Sequence, residues 1–272
     1  MKISISNIAW DKKDDERVYD ILYENRIYGV DVAPARVFEH PFNITNLQGQ
    51  EFIKGIGIKE LVPVGMQSLL YGTEGLQLFE NEEKSTQTIE HLKKIMDYAK
   101  KIGITRVVFG SPKNRLINNM SKREIEYKSE VIFNELGDYA MSKDLYFCIE
   151  PNPTLYGADY ITSTLEGVEL VKKINNPGFR LHLDLGTILI NNENMEEVVA
   201  EAAPITQHVH LSHPNLEQVI GNEKQHTIFR DLLKKYNYTG VVAIEMKNSM
   251  SIDNVERVKE SIEFISSIYG GD

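Results

Sequence analysis

Short apolar runs alternate with longer stretches in which apolar side chains recur every three or four residues, along most of the chain. The runs fall at 2–7 (KISISN), 28–33 (YGVDVA), 59–66 (KELVPVGM), 105–110 (TRVVFG), 145–150 (LYFCIE), 180–184 (RLHLD), 206–211 (TQHVHL) and 240–245 (GVVAIE). Their length and β-branched content predict strands. In 86–102, Thr88, Ile89, Leu92, Ile95, Met96 and Ala99 fall on one face of a helix. Residues 121–141 open with a capping box, Ser121 as N-cap and Glu124 three residues on. Thr162 or Ser163 starts a further helix that Asn175-Asn176-Pro177-Gly178 closes. Helices at 224–236 and 252–268 follow the last two strands, and Gly103 and Gly240 stand at turns just before strands. The segment 34–57, with Pro34 and Pro41, and the loop 67–84 carry no clear period.

Strands alternating with helices predict βα units and a parallel sheet. With eight such units in 272 residues, close to the ~250 typical of that architecture, the expected fold is an α/β (β/α)8 TIM barrel. A doubly wound sheet shares the alternation, but its glycine-rich phosphate turn is missing: after the first strand the chain reads Ile8-Ala9-Trp10-Asp11. No linker or low-complexity tract divides the chain, so a single domain over 1–272 is expected.

Composition narrows the setting. At 42% hydrophobic and 26% charged residues, the chain has ample material for a large core. A formal charge of −10 repels a phosphate backbone, so nucleic acid is not an expected partner. Nor is a membrane, since no segment reaches the ~20 apolar residues of a span, and the N-terminal apolar run is too short for a signal peptide. Cys148 stands alone in an apolar run, which predicts a core thiol rather than a nucleophile and a reducing, cytoplasmic location.

The chemistry sits at strand ends. Glu150, Asp184, His210 and Glu245 close the last four strands, at spacings of 184−150 = 34, 210−184 = 26 and 245−210 = 35 residues, about one βα unit each. In a barrel these ends share one mouth, where active sites of this fold lie. Taken singly, an acidic strand end is an ordinary N-cap and a strand histidine an ordinary core residue. Together they form an oxygen-rich group with one nitrogen, whose repulsion a divalent cation relieves: Mn²⁺ first, with Mg²⁺, Co²⁺ and Zn²⁺ as alternatives. His182 and His208 precede Asp184 and His210 by two residues, so they point the same way one layer deeper, as hydrogen-bonded core or ligand-orienting groups. A zinc site from His208, His210 and His213 is disfavoured because strand geometry separates them by depth. His40 and His226 read as peripheral.

These segments resemble the xylose isomerase-like barrels, the sugar and sugar-phosphate isomerases and epimerases that include ketose 3-epimerases. The resemblance is carried by Cys148-Ile149-Glu150-Pro151-Asn152-Pro153, Leu181-His182-Leu183-Asp184-Leu185-Gly186, His208-Val209-His210-Leu211 and Ala243-Ile244-Glu245-Met246-Lys247, with further likeness at 65–72 and 108–115. It implies that Glu150, Asp184, His210 and Glu245 ligate the metal, that both glutamates double as acid and base, and that the barrel pairs as a homodimer. Three positions depart from the ketose 3-epimerases: Thr187 where they carry a histidine, Tyr156 for a glutamate and Leu216 for an arginine. The related abasic-site endonucleases need extra zinc-binding histidines after strands two to four, and this chain offers no such set there, His40 being isolated.

The expected reaction removes a proton beside a carbonyl, the metal stabilising the enediolate. Glu150 and Glu245 act on opposite faces to epimerise a carbon, or one of them moves the proton to the next carbon to isomerise. The expected partner is a small carbohydrate, free, phosphorylated or acidic. Candidate contacts to it are Trp10 by stacking, Gln67 and Asn152 to hydroxyls, and Lys113, Arg115 and Lys247 as anchors for a carboxylate, phosphate or hydroxyl. Tyr156 as a lid, His182 and His213 complete the set. The rival functions are a keto-polyol dehydratase on the same metal site and a non-catalytic sugar-binding barrel.

Overall fold

The computed structural model describes residues 1–38, 41–118 and 120–270; His40 lies outside them. Eight parallel strands close into a barrel in chain order. They are β1 (Lys2–Ser6), β2 (Gly29–Val32), β3 (Val62–Met66), β4 (Arg106–Phe109), β5 (Tyr146–Ile149), β6 (Phe179–Asp184), β7 (Thr206–Ser212) and β8 (Val241–Glu245). Each lies within a residue or two of its predicted run except β3, which starts three residues later than 59. Residues 58–60 form a turn instead, with Glu60 at φ 56°.

The helices are α1 (Asp15–Glu24), α2 (Pro34–Val37), α3 (Asn46–Gly57), α4 (Glu82–Lys101), α5 (Lys122–Ser142), α6 (Thr164–Ile174), α7 (Leu185–Ile190), α8 (Met195–Ala202), α9 (Glu223–Lys235) and α10 (Asn254–Tyr269). Ser121 caps α5 through the expected box with Glu124, and Ser163 rather than Thr162 caps α6. The aperiodic segment 34–57 is more ordered than its pattern suggests. Pro34 opens α2, and Thr45 with Gln48 forms a second capping box on α3. No described helix is long and apolar enough to cross a membrane.

The hydrophobic core lies between barrel and helices, not inside the barrel. Along each strand side chains alternate sides. Ile3, Ile5, Val107, Phe109, Phe147, Ile149, Leu181, Leu183, Val209, Leu211, Val242 and Ile244 face outward into one buried cluster with the helices. The register places the opposite set in the lumen: Asp184 stands beside His210, His182 beside His208, and Ser212 beside Glu245. The interior is therefore polar. Cys148 is fully buried there, and burial pushes its thiol up to about 12, as expected of an unreactive core thiol.

Candidate metal centre

Three of the four strand-end residues draw together. Glu150, His210 and Glu245 each offer a ligand atom within 4.8 Å of the others. The His210 ring presents Nδ1 to them, 3.2 Å from Glu245 Oε2 and 3.8 Å from Glu150 Oε1. Its other nitrogen, Nε2, lies 3.4 Å from Asp31 Oδ2. The two glutamates retain side-chain exposures of only 14% and 12%.

Asp184 stands at the same mouth with its carboxylate already engaged. Oδ1 accepts from the Gly186 N–H at 3.1 Å and the Ser212 hydroxyl at 2.8 Å. Oδ2 accepts from the Thr187 N–H at 3.0 Å and the Thr187 hydroxyl at 3.3 Å. It is the N-cap of α7 and lies outside the tight group.

The electrostatics follow from burial and crowding. Burial, then the nearby Glu245 and Asp184, push the Glu150 carboxyl up to about 8 against the pull of His210 and Arg115. Burial and Glu245 likewise raise Asp184. His210 moves far upward although burial opposes it, because Glu245, Asp31 and Glu150 favour its cation. Crowded, part-sealed carboxylates that raise one another toward the protonated form are the environment that a divalent cation suits. The backbone leaves room for them: a Cβ at Gly110 would lie 2.2 Å from Glu150 Oε2. The donor set, carboxylate oxygens with one imidazole nitrogen that has no hydrogen-bond partner, fits such an ion.

The expected substrate contacts divide. Lys247 is exposed and lines a 520 Å³ cavity formed by the loops after β1, β2, β3, β7 and β8, as does the edge of Trp10. Trp10 is nonetheless 1% exposed, its indole N–H donating to Asp15 Oδ1 at 2.8 Å and its ring meeting Tyr19 edge-on. That is packing rather than an open stacking face. Tyr156 bridges the mouth, its hydroxyl accepting from the Asn215 N–H at 2.9 Å. Burial and the charges of Asp184, Glu245 and Glu150 raise its phenol. Gln67 is buried and donates to Ser6 Oγ at 2.5 Å, leaving Oε1 without a partner. Asn152 accepts from Arg115 Nη2 at 3.0 Å.

Arg115 is not an open anchor. It is wholly buried, Nη2 also donating to the Glu150 carbonyl at 2.7 Å, so it braces the end of β5; burial pushes its guanidinium down to about 10. Lys113 is exposed, with its carbonyl accepting from Gln77. His213 turns away from a substrate role: its Nε2 lies 3.1 Å from Nε2 of His226. His226 is not peripheral but fully buried, because α9 carries it against Tyr269 of α10.

Sequence reasoning missed Asp31. It is fully buried on β2, accepts from Ser4 Oγ at 3.0 Å and lies 2.8 Å from His208 Nε2. Although burial opposes it, His208 and His210 hold its carboxyl well below the usual range. The signal was an acidic residue inside an apolar strand run, Val30-Asp31-Val32.

Residues 65–268 match the family model described as xylose isomerase-like TIM barrel. A curated L-ribulose 3-epimerase from Methylomonas sp. (strain DH-1) is 25% identical over 133 residues, 49% of this chain and 46% of that protein. The match thus spans about half the length of that relative. The D-psicose 3-epimerase from Clostridium cellulolyticum H10, solved with D-tagatose, superposes with a TM-score of 0.81 at 14% identity over 99% of both chains. The IOLI protein, solved with a zinc atom, does so with a TM-score of 0.73 at 15% identity over 100% of both.

Proposed function

This chain belongs to the xylose isomerase-like TIM barrels, and on that premise we propose that it is a divalent-metal-dependent epimerase or isomerase of a small carbohydrate. The observation that carries this reading is the convergence of Glu150, Glu245 and His210 Nδ1 at the barrel mouth. The sugar epimerases among its structural relatives and the curated ribulose epimerase favour the same class. Glu150, His210 and Glu245 hold the metal, with Asp184 as fourth ligand; Mn²⁺ is the ion proposed for this oxygen-rich set. When bound, the cation supplies Lewis-acid stabilisation of the charge that grows on the substrate's carbonyl oxygen as the enediolate forms.

The protein's own groups do the proton work. One glutamate takes the proton from the carbon beside the carbonyl, and the other returns one to the opposite face. Where a single glutamate passes the proton to the neighbouring carbon, the outcome is aldose–ketose isomerisation. Asp31 holds the Nε2 side of His210, so that Nδ1 stays turned to the carboxylates. Tyr156, tied to Asn215, restricts water at the mouth. Lys247 and the 520 Å³ cavity receive the far end of the substrate.

The test is incubation of aldoses, ketoses, sugar acids and sugar phosphates in D2O with Mn²⁺. The true substrate gains mass through carbon-bound deuterium, and its epimer or isomer accumulates. Glu245→Gln slows this exchange by about 10²–10⁴-fold; an unchanged rate would remove Glu245 from the mechanism. Loss of one water from the product would identify a dehydratase instead.

A further inference from the structure

Below the mouth carboxylates the lumen holds a second layer of imidazoles. We propose that His182, His208 and His210, with Asp31 beside them, form a second metal site that takes Zn²⁺ or another nitrogen-preferring transition ion. The proposal goes beyond the reading above, sharing His210 and its neighbour Asp31 with it.

One ring nitrogen of each histidine lies within 4.8 Å of the others. The ring centroids are 4.1 Å apart for His182 and His210, 5.2 Å for His208 and His210, and 5.3 Å for His182 and His208. All three are wholly buried. Neither nitrogen of His182 has a hydrogen-bond partner, its Nε2 lying 3.6 Å from Glu150 Oε1, and His208 Nδ1 has none. His208 Nε2 lies 2.8 Å from Asp31 Oδ2. A neutral imidazole carries one N–H and one lone pair, and a buried ring lone pair that meets no proton donor is what a metal accepts.

The wall opposite is bare where these groups meet. A Cβ at Gly65 would lie 2.4 Å from His208 Nε2 and 2.7 Å from Asp31 Oδ2. The donor chemistry also differs from that of the mouth. Three imidazoles with one carboxylate are a nitrogen-rich set suited to Zn²⁺, whereas the mouth is oxygen-rich. His210 joins the two layers, with Nδ1 toward Glu245 and Nε2 toward Asp31.

Zn²⁺ counted by elemental analysis after dialysis tests this, with X-ray absorption reading the ligands. The wild type is expected to retain two ions per chain. The variant carrying Glu150→Gln and Glu245→Gln is expected to retain one, ligated mainly by imidazole, and to lose it when His182→Gln and His208→Gln are added. If that mouth variant binds no Zn²⁺, or keeps an ion with both histidines replaced, the inner site does not exist. Because the mouth variant retains all three histidines, its count decides the matter even if the histidine variants fail to fold. Loss of deuterium exchange in the mouth variant, with its inner ion retained, separates the fate of this site from that of the proposed reaction.

Discussion

The imidazole of His210 meets carboxylates on both edges, Glu245 through Nδ1 and Asp31 through Nε2, so its orientation is set by residues from two other strands. Single atoms decide as much at Gly110. A methyl group there meets the flexible end of Glu150 rather than backbone, so Gly110→Ala displaces the carboxylate more than it strains the fold. The expected result is a denaturation midpoint within about 1 kcal/mol of wild type but metal affinity reduced about 10–100-fold by calorimetry. Unaltered affinity would mean that Glu150 is not held where the structure puts it. His226 supplies a pH prediction. Burial and the neighbouring His213 push it down to about 4, while in the unfolded chain it titrates near ~6.5. Between those values the unfolded state binds more protons, so stability is full above about pH 6.5 and falls as pH drops, by up to about 3 kcal/mol at pH 4. Tyr269 donates to the His226 carbonyl and Phe264 packs edge-on, and among the described residues no carboxylate pairs with the ring to offset its charge. Urea titrations at pH 7.5 and 5 should show a smaller loss for His226→Gln than for wild type; equal losses would discard this assignment.

At the scale of elements, α7 shows how one residue serves two ends. Asp184 closes β6 and caps α7 through the Gly186 and Thr187 amides. Asp184→Asn keeps an acceptor oxygen and loses the charge; Asp184→Ala loses both. The alanine variant should therefore be less stable than the asparagine variant by about 0.5–2 kcal/mol, while both lose metal affinity. Equal stability of the two would separate Asp184 from the helix. The capping boxes illustrate why some elements were legible. The box of α5 was read from Ser121 and Glu124, because it introduces a long periodic helix. That of α3, Thr45 with Gln48, has the same chemistry, but the helix behind it is only 12 residues long and has two inner glycines, Gly49 and Gly55. Strand ends were legible to within a residue or two because alternation breaks where the chain leaves the sheet.

Over the whole molecule, the apolar residues go outward to the helices and the polar ones inward, so the lumen rather than the core carries the chemistry. Such a lumen is stable only if its charges are balanced, and a bound cation links binding to folding. Mn²⁺ at about 100 times its Kd should add about 2.7 kcal/mol to stability, seen as a higher melting temperature that EDTA reverses. A melting temperature indifferent to both would count against a metal in this barrel.

The sequence alone determined the eight-fold alternation of strand and helix, and with it the barrel. It also fixed the polar residues that end strands five to eight, because spacing and period two are properties of the chain itself. Tertiary structure decided who meets whom. Asp31 joins the histidines only because closure brings β2 across from β7. Arg115 and His213 become wall residues because their loops fold back on β5 and α9. Those pairings depend on distances across the barrel, and a one-dimensional pattern records direction and order but no distance between residues remote in the chain.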